Sequence, residues 1–219
     1  MLDVLSITLI RRIHIARKKN LRITTPAGTA VWPRLNEPDK KFNKDGTYSV
    51  NLRLPKTDAE GLIDDMNAVL KTHIENISKE NPKKKIEPAA LPIKDVVDGD
   101  NNPTGEVDIK FKLNAVGLNG ADRWEQRPAL FDSTGKPLTE TIGSGSTIKV
   151  GAEIVPYYTN MAGAGITLRM RAVQVLELTE FQKGDNFDSW SFSSEKGFVS
   201  SGEKTVPETT EESEHGFDF

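Results

Sequence analysis

Asp45-Gly46-Thr47-Tyr48-Ser49-Val50-Asn51-Leu52-Arg53-Leu54 is the stretch that decides the fold. Asp-Gly signals a turn. After it, Tyr48, Val50, Leu52 and Leu54 alternate with Thr47, Ser49, Asn51 and Arg53, and period two with one apolar face reads as a half-buried strand. The pattern recurs. Val107, Ile109, Phe111, Leu113 and Ala115 alternate with Asp108, Lys110, Lys112 and Asn114. Ile148, Val150, Ala152 and Ile154 form another strand, read as ending at Pro156, and Ile166, Leu168, Met170 and Ala172 open a last one towards Leu178. A shorter strand over residues 27–32 is expected to stop at Pro33, because proline removes a ladder donor.

One helix interrupts the strands. Thr57-x-x-Glu60 has capping-box spacing. Leu62, Met66, Val69, His73 and Ile77 then share one face, and Asn81-Pro82 ends the run. Asn119-Gly120 is a hairpin dipeptide leading to Trp124 and then Ala129-Leu130-Phe131. The expected fold is mainly β: a five-stranded, OB-fold-like antiparallel barrel capped by one α-helix. Barrels of this kind bind oligonucleotides on the sheet face. The helix falls between the second and third strands instead of the usual third and fourth. Either the strand count is off by one or the helix is displaced.

The totals suit one domain with polar ends: 219 residues, 36% hydrophobic, no cysteine and a net charge of -3. No run approaches the ~18 apolar residues of a membrane span. From Gly184 onward nine acids face only Lys196 and Lys204, giving -7, which leaves +4 on residues 1–183. A basic body with an acidic end is the charge layout of a polyanion binder that regulates itself. Residues 1–14 read as a poorly ordered extension, or as residues added by an upstream start codon. Residues 15–183 read as the domain and 184–219 as a flexible tail. That tail ends in Glu211, Glu212 and Glu214, then Phe217, Asp218 and Phe219: acids to dock on a cationic surface, and rings that solubility does not require.

Alternation places Arg53, Lys110, Lys112, Lys149, Arg169 and Arg171 outward. Trp32, Trp124, Tyr157 and Tyr158 stand at strand ends, and Arg34 and Arg127 complete the candidate set. Cations tracking phosphates beside rings that stack bases are the pairing used by single-strand binders. Each residue alone has a plainer reading. A lone strand cation usually keeps an edge soluble, and tryptophan is usually buried. The coincidence of several strands, several rings and a tail of opposite charge favours binding. Catalysis finds no footing: His14, His73 and His215 lack metal-ligand spacing, and Asp64-Asp65 and Asp98/Asp100 have no partner. Gly143-Ser144-Gly145-Ser146 leads into a strand, so it reads as a flexible turn and not a phosphate loop. No cofactor or metal is expected.

The chain resembles the single-stranded DNA-binding proteins of short-tailed, T-odd-type bacteriophages. The resemblance rests on Ile15-Ala16-Arg17-Lys18-Lys19, Tyr48-Ser49-Val50-Asn51-Leu52, Leu54-Pro55-Lys56, Ile142-Gly143-Ser144-Gly145-Ser146-Thr147-Ile148-Lys149-Val150, Val155-Pro156-Tyr157, Val175-Leu176-Glu177-Leu178, Asp188-Ser189-Trp190 and Gly216-Phe217-Asp218-Phe219. It implies an oligonucleotide-binding barrel and single-strand binding in phage DNA replication, recombination, repair and strand annealing. It also implies a homodimer, and a tail that contacts phage DNA polymerase and helicase-primase in the cytoplasm of the infected bacterium. Tyr157 falls at a DNA-contacting tyrosine of the family, while Asn114 replaces a family aromatic. Two other readings fit the same barrel: a structural or adaptor protein of the virion, and an RNA-binding regulator.

Overall fold

A computed structural model describes residues 19–180. Among them the order is β1 (Leu21–Thr24), β2 (Gly28–Asp39), β3 (Thr47–Pro55), α1 (Lys56–Glu80), β4 (Ile93–Val97), β5 (Pro103–Asn114), β6 (Val116–Asn119), β7 (Asp122–Glu125), β8 (Ala129–Phe131), β9 (Thr147–Thr159) and β10 (Gly163–Glu177). The N-terminal extension and the acidic tail lie outside the described residues.

The five expected strands are β2, β3, β5, β9 and β10, and they close into a ring. β9 pairs with β2, β2 with β3, β3 with β5, β5 with β10, and β10 again with β9. This is a Greek-key barrel of the OB type. A ring of five cannot alternate direction throughout, since an odd count leaves two neighbours pointing the same way. The seam falls between β5 and β10, which pair in parallel with Leu168 beside Phe111 and Arg169 beside Lys112. The expected antiparallel order is corrected at this pair of the ring.

Inside the ring, Val50, Leu52, Leu54, Val107, Ile109, Phe111, Ile148, Val150, Ile154, Leu168 and Met170 are buried. Each such side chain contributes roughly 1.5–3 kcal/mol over leaving it exposed. The helix adds Leu62, Met66 and Leu70 to the same cluster and packs against β3, β5, β9 and β10. It follows β3 directly and precedes β5, so the strand count is right and the helix is displaced. Val69 and His73 sit half-buried at the margin of its apolar face. No helix among the described residues is long and apolar enough to cross a membrane.

Neither proline stops its strand. β2 continues through Pro33 to Asp39, with a register shift against β3 between Val31 and Arg34. A bulge is where a strand tolerates a missing amide donor. β9 continues through Pro156 to Thr159. Its pairing with β1 ends at Ile154, so beyond that point its paired neighbour is β10. β1 and β4 are additional strands. Leu21 and Arg22 pair with Ile154 and Glu153; Ile93 and Lys94 pair with Ile109 and Asp108. Neither strand buries a regular apolar face, so neither leaves a period-two signal.

The capping box does not form. α1 starts at Lys56, on Pro55, with no side chain capping its first amides. Thr57 lies inside the first turn, its hydroxyl 3.3 Å from Asp58 Oδ1. Thr57→Ala should therefore shift stability by less than ~0.5 kcal/mol, well under the ~1 kcal/mol of a lost N-cap. Phe111→Ala should cost ~3–5 kcal/mol by opening a cavity at the seam. Urea unfolding of both variants checks the pair, and a full cap-sized loss at Thr57 would restore its capping role.

Candidate nucleic-acid interface

Every inward residue of the barrel fixes its neighbour outward. On the outer surface Arg34 of β2 stands opposite Ser49 of β3, Ser49 opposite Lys112 of β5, and Lys112 opposite Arg169 of β10. Neighbouring strands are ~4.8 Å apart, so this row spans roughly 14 Å. The row continues to Glu153 of β9 and Arg22 of β1.

A groove of about 1300 Å³ runs over this surface. Lys110, Lys112, Arg169 and Arg171 line it together with Trp124 and Tyr157. A second groove, about 520 Å³, shares Lys110 and Pro92 with the first and extends to Trp32, Asn51, Arg53 and Lys94. Arg34, Lys149, Arg127 and Tyr158 line neither groove. Lys149 faces Gln174 on β10, and Arg127 is exposed after β7. Tyr158, one residue on from Tyr157, turns away and carries Lys84 Nζ 5.1 Å from its ring centroid. The tail residues Glu211 to Phe219 lie outside the described residues.

Two of the groove rings rest on glycine. A Cβ on Gly165 would come within 2.5 Å of the Tyr157 ring, so Tyr157 lies close over β10 because its cross-strand partner has no side chain. Trp124 covers Gly117 in the same way, overlapping the place a Cβ would take. The hairpin carrying Trp124 is tied down at both ends. Arg123 pairs with Asp45 in the β2–β3 turn, and Gln126 Nε2 donates to the Asn114 carbonyl at 2.9 Å. Asn114 thus lines the groove beside Trp124 and Gln126.

Trp32 is placed differently. Its φ is +48°, a left-handed value that is a genuine outlier for a bulky residue. Such strain of order 1–3 kcal/mol persists only where the surroundings enforce it. Here its N–H donates to Ser144 Oγ at 3.1 Å, and the indole stands 75% exposed. The turn around Ser144 is pinned, contrary to its reading as a flexible turn. The Ala30 N–H donates to the Ser146 carbonyl, the Gly145 N–H donates to the Ala30 carbonyl, and Ser146 Oγ donates to the Gly143 carbonyl.

Charge is not equally available along the two grooves. Arg53 is held bidentate by Asp108, at 2.8 and 2.9 Å, and that hydrogen bond is the main reason its pKa is raised. Its charge is already matched. Lys110 and Lys112 are exposed and Arg169 and Arg171 partly so, leaving the larger groove the more cationic. Phe42, which alternation could not flag because it lies in a turn, also lines that groove. It is 91% exposed, with Lys41 Nζ 5.4 Å from its ring centroid. The available signal was a lone aromatic among Lys40, Lys41 and Lys44. Among the described residues no group of acids and histidines could hold a metal ion.

This geometry has relatives. The family described as single-stranded DNA-binding protein, bacteriophage T7, matches residues 28–178. The chain is 30% identical over 203 residues to the single-stranded DNA-binding protein of Escherichia phage T7, covering 82% of this chain and 85% of that protein. It is also 30% identical over 198 residues to its counterpart in Enterobacteria phage T3, covering 80% and 83%. The fold resembles the crystal structure of gp2.5, a single-stranded DNA binding protein encoded by bacteriophage T7, with a TM-score of 0.62 and 24% identity over 83% of this chain and all of that one. It also resembles the single-stranded DNA-binding protein of bacteriophage Enc34 in complex with ssDNA, with a TM-score of 0.50 and 17% identity over 73% and 88% of the chains. The chain belongs to the family of bacteriophage T7 single-stranded DNA-binding proteins, which are binding proteins and not enzymes.

Proposed function

We propose that this protein binds single-stranded DNA along the larger groove, with the smaller groove extending the path towards Trp32. The observation that carries the reading is the row Lys112–Arg169 across the parallel seam, flanked by Tyr157 and Trp124. The cations attract phosphates and release their condensed counterions. The rings stack on unpaired bases, each stack contributing roughly 1–3 kcal/mol with little sequence preference. A duplex buries its base faces, so the rings select single strands. A relative from phage Enc34 was solved with ssDNA bound, which supports the same use of the barrel.

In the infected bacterium the protein coats exposed DNA during phage replication and recombination and promotes annealing, acting as a homodimer. The acidic tail competes with DNA for the groove. Once displaced, Glu211, Glu212, Glu214 and Asp218 with Phe217 and Phe219 are free to engage the phage polymerase and helicase-primase. Family membership and the charge asymmetry of the sequence support this larger role.

Four outcomes follow for oligonucleotide titrations. Lys112→Ala and Arg169→Ala should each weaken binding and reduce the slope of log affinity against log salt by about 0.7; slopes equal to the native one would rule out phosphate contacts there. Tyr157→Ala should lose ~1–3 kcal/mol of binding while Tyr158→Ala changes little, and equal losses would refute the two-sided placement. Ser144→Ala should weaken binding as much as Trp32→Ala, with no further loss in the double variant; additive losses would separate the two residues. Removing residues 208–219 should tighten binding at low salt, and weaker binding would contradict competition by the tail. Competition by a ribo-oligomer of equal length tests the preference for DNA.

A further inference from the structure

Glu153 is an acid on the outward row of β9, where the alternation should expose it, yet its side chain is only 10% exposed. Three arginines from two strands cover it. Arg22 Nε is 3.7 Å from Oε1, Arg171 Nε 3.3 Å from Oε1, and Arg169 Nη1 3.8 Å from Oε2. Two of the three, Arg169 and Arg171, line the larger groove, and Glu153 does not. It sits behind them.

The manner of contact matters. A charge-assisted N–H···O bond closes to about 2.7–2.9 Å, as the Arg53–Asp108 pair does at 2.8 Å. The contacts to Glu153 are all longer. Asp108 commits its arginine; Glu153 shares its one charge between the two groove arginines without closing on either. The carboxylate meets these arginines from behind, where a phosphate would meet them from the groove.

We propose that Glu153 is a built-in counter-anion that sets how tightly the groove holds DNA. Resting on the groove reading above, the inference adds a residue that limits affinity. In the free protein it keeps Arg169 and Arg171 from repelling each other, Lys112 and Arg22. When a strand enters, phosphates compete with the carboxylate for the two groove arginines, and part of each new ion pair is offset by the one it loosens. The bound strand stays easy to displace, which suits a protein that must give DNA up to enzymes acting on it.

The test is Glu153→Gln, which keeps shape and removes charge, titrated with an oligodeoxythymidylate at several salt concentrations. The expected result is affinity raised at least fivefold at 50 mM salt, a gap that closes as salt rises, and a log–log slope steeper by up to about 0.7 for each arginine released. Unchanged affinity and slope overturn the proposal. Weaker binding at native melting temperature also overturns it, by making Glu153 a residue that orients the arginines. To spare the fold, Arg22→Gln/Glu153→Gln removes one charge of each sign and is compared with Arg22→Gln alone. The double variant should bind more tightly, and equal binding counts against the proposal. Arg169→Gln in the native background separates the two levels. If it leaves binding unchanged, the groove reading fails; if it weakens binding while Glu153→Gln does not tighten it, only the counter-anion fails.

Discussion

The parallel contact between β5 and β10 holds the rest of the structure in place. On its inner side Phe111 packs beside Leu168, and on its outer side Lys112 stands beside Arg169. Closing a ring of five strands requires one such seam, so the same pairing that seals the core also sets two cations side by side. Core packing there is dense, with Phe111, Ile109, Leu168 and Met170 fully buried. The favourable burial of those side chains outweighs the repulsion between neighbouring cations, which water and salt screen on the exposed face.

Around that seam the protein uses two ways to present a flat ring. Tyr157 and Trp124 lie against strands whose glycines leave room for them. Trp32 instead projects from a bulge, held by a serine hydroxyl from a distant turn. The first arrangement gives rings laid low against a strand. The second gives a mostly exposed indole lining the adjoining groove. The first depends on a side chain missing from an unbroken ladder, the second on the Val31–Arg34 register shift.

The acids of the outer face are as informative as the bases. Asp108 removes Arg53 from the pool of free charge, and Glu153 tempers Arg169 and Arg171. Among the described residues, what remains unpaired by a carboxylate in the larger groove is centred on Lys110 and Lys112. A surface with every cation free would hold DNA more strongly but release it more slowly, and would strain the fold by self-repulsion.

Alternation by itself determined the five barrel strands and which of their side chains point away from the core, because a period of two against one core leaves a single solution. It also determined the helix, whose apolar stripe has one face to bury. Only the tertiary structure decided which outward residues meet. Arg53 and Lys112 carry the same charge on the same kind of face, yet cross-strand register gives one an aspartate and the other an arginine as neighbour. The prolines misled for a related reason: whether a missing N–H ends a strand depends on whether a partner strand was there to need it, and partners are chosen by the fold. Phe42, Ser144 and Glu153 gave little signal for the same cause. Their roles come from residues far along the chain, which only folding brings within reach.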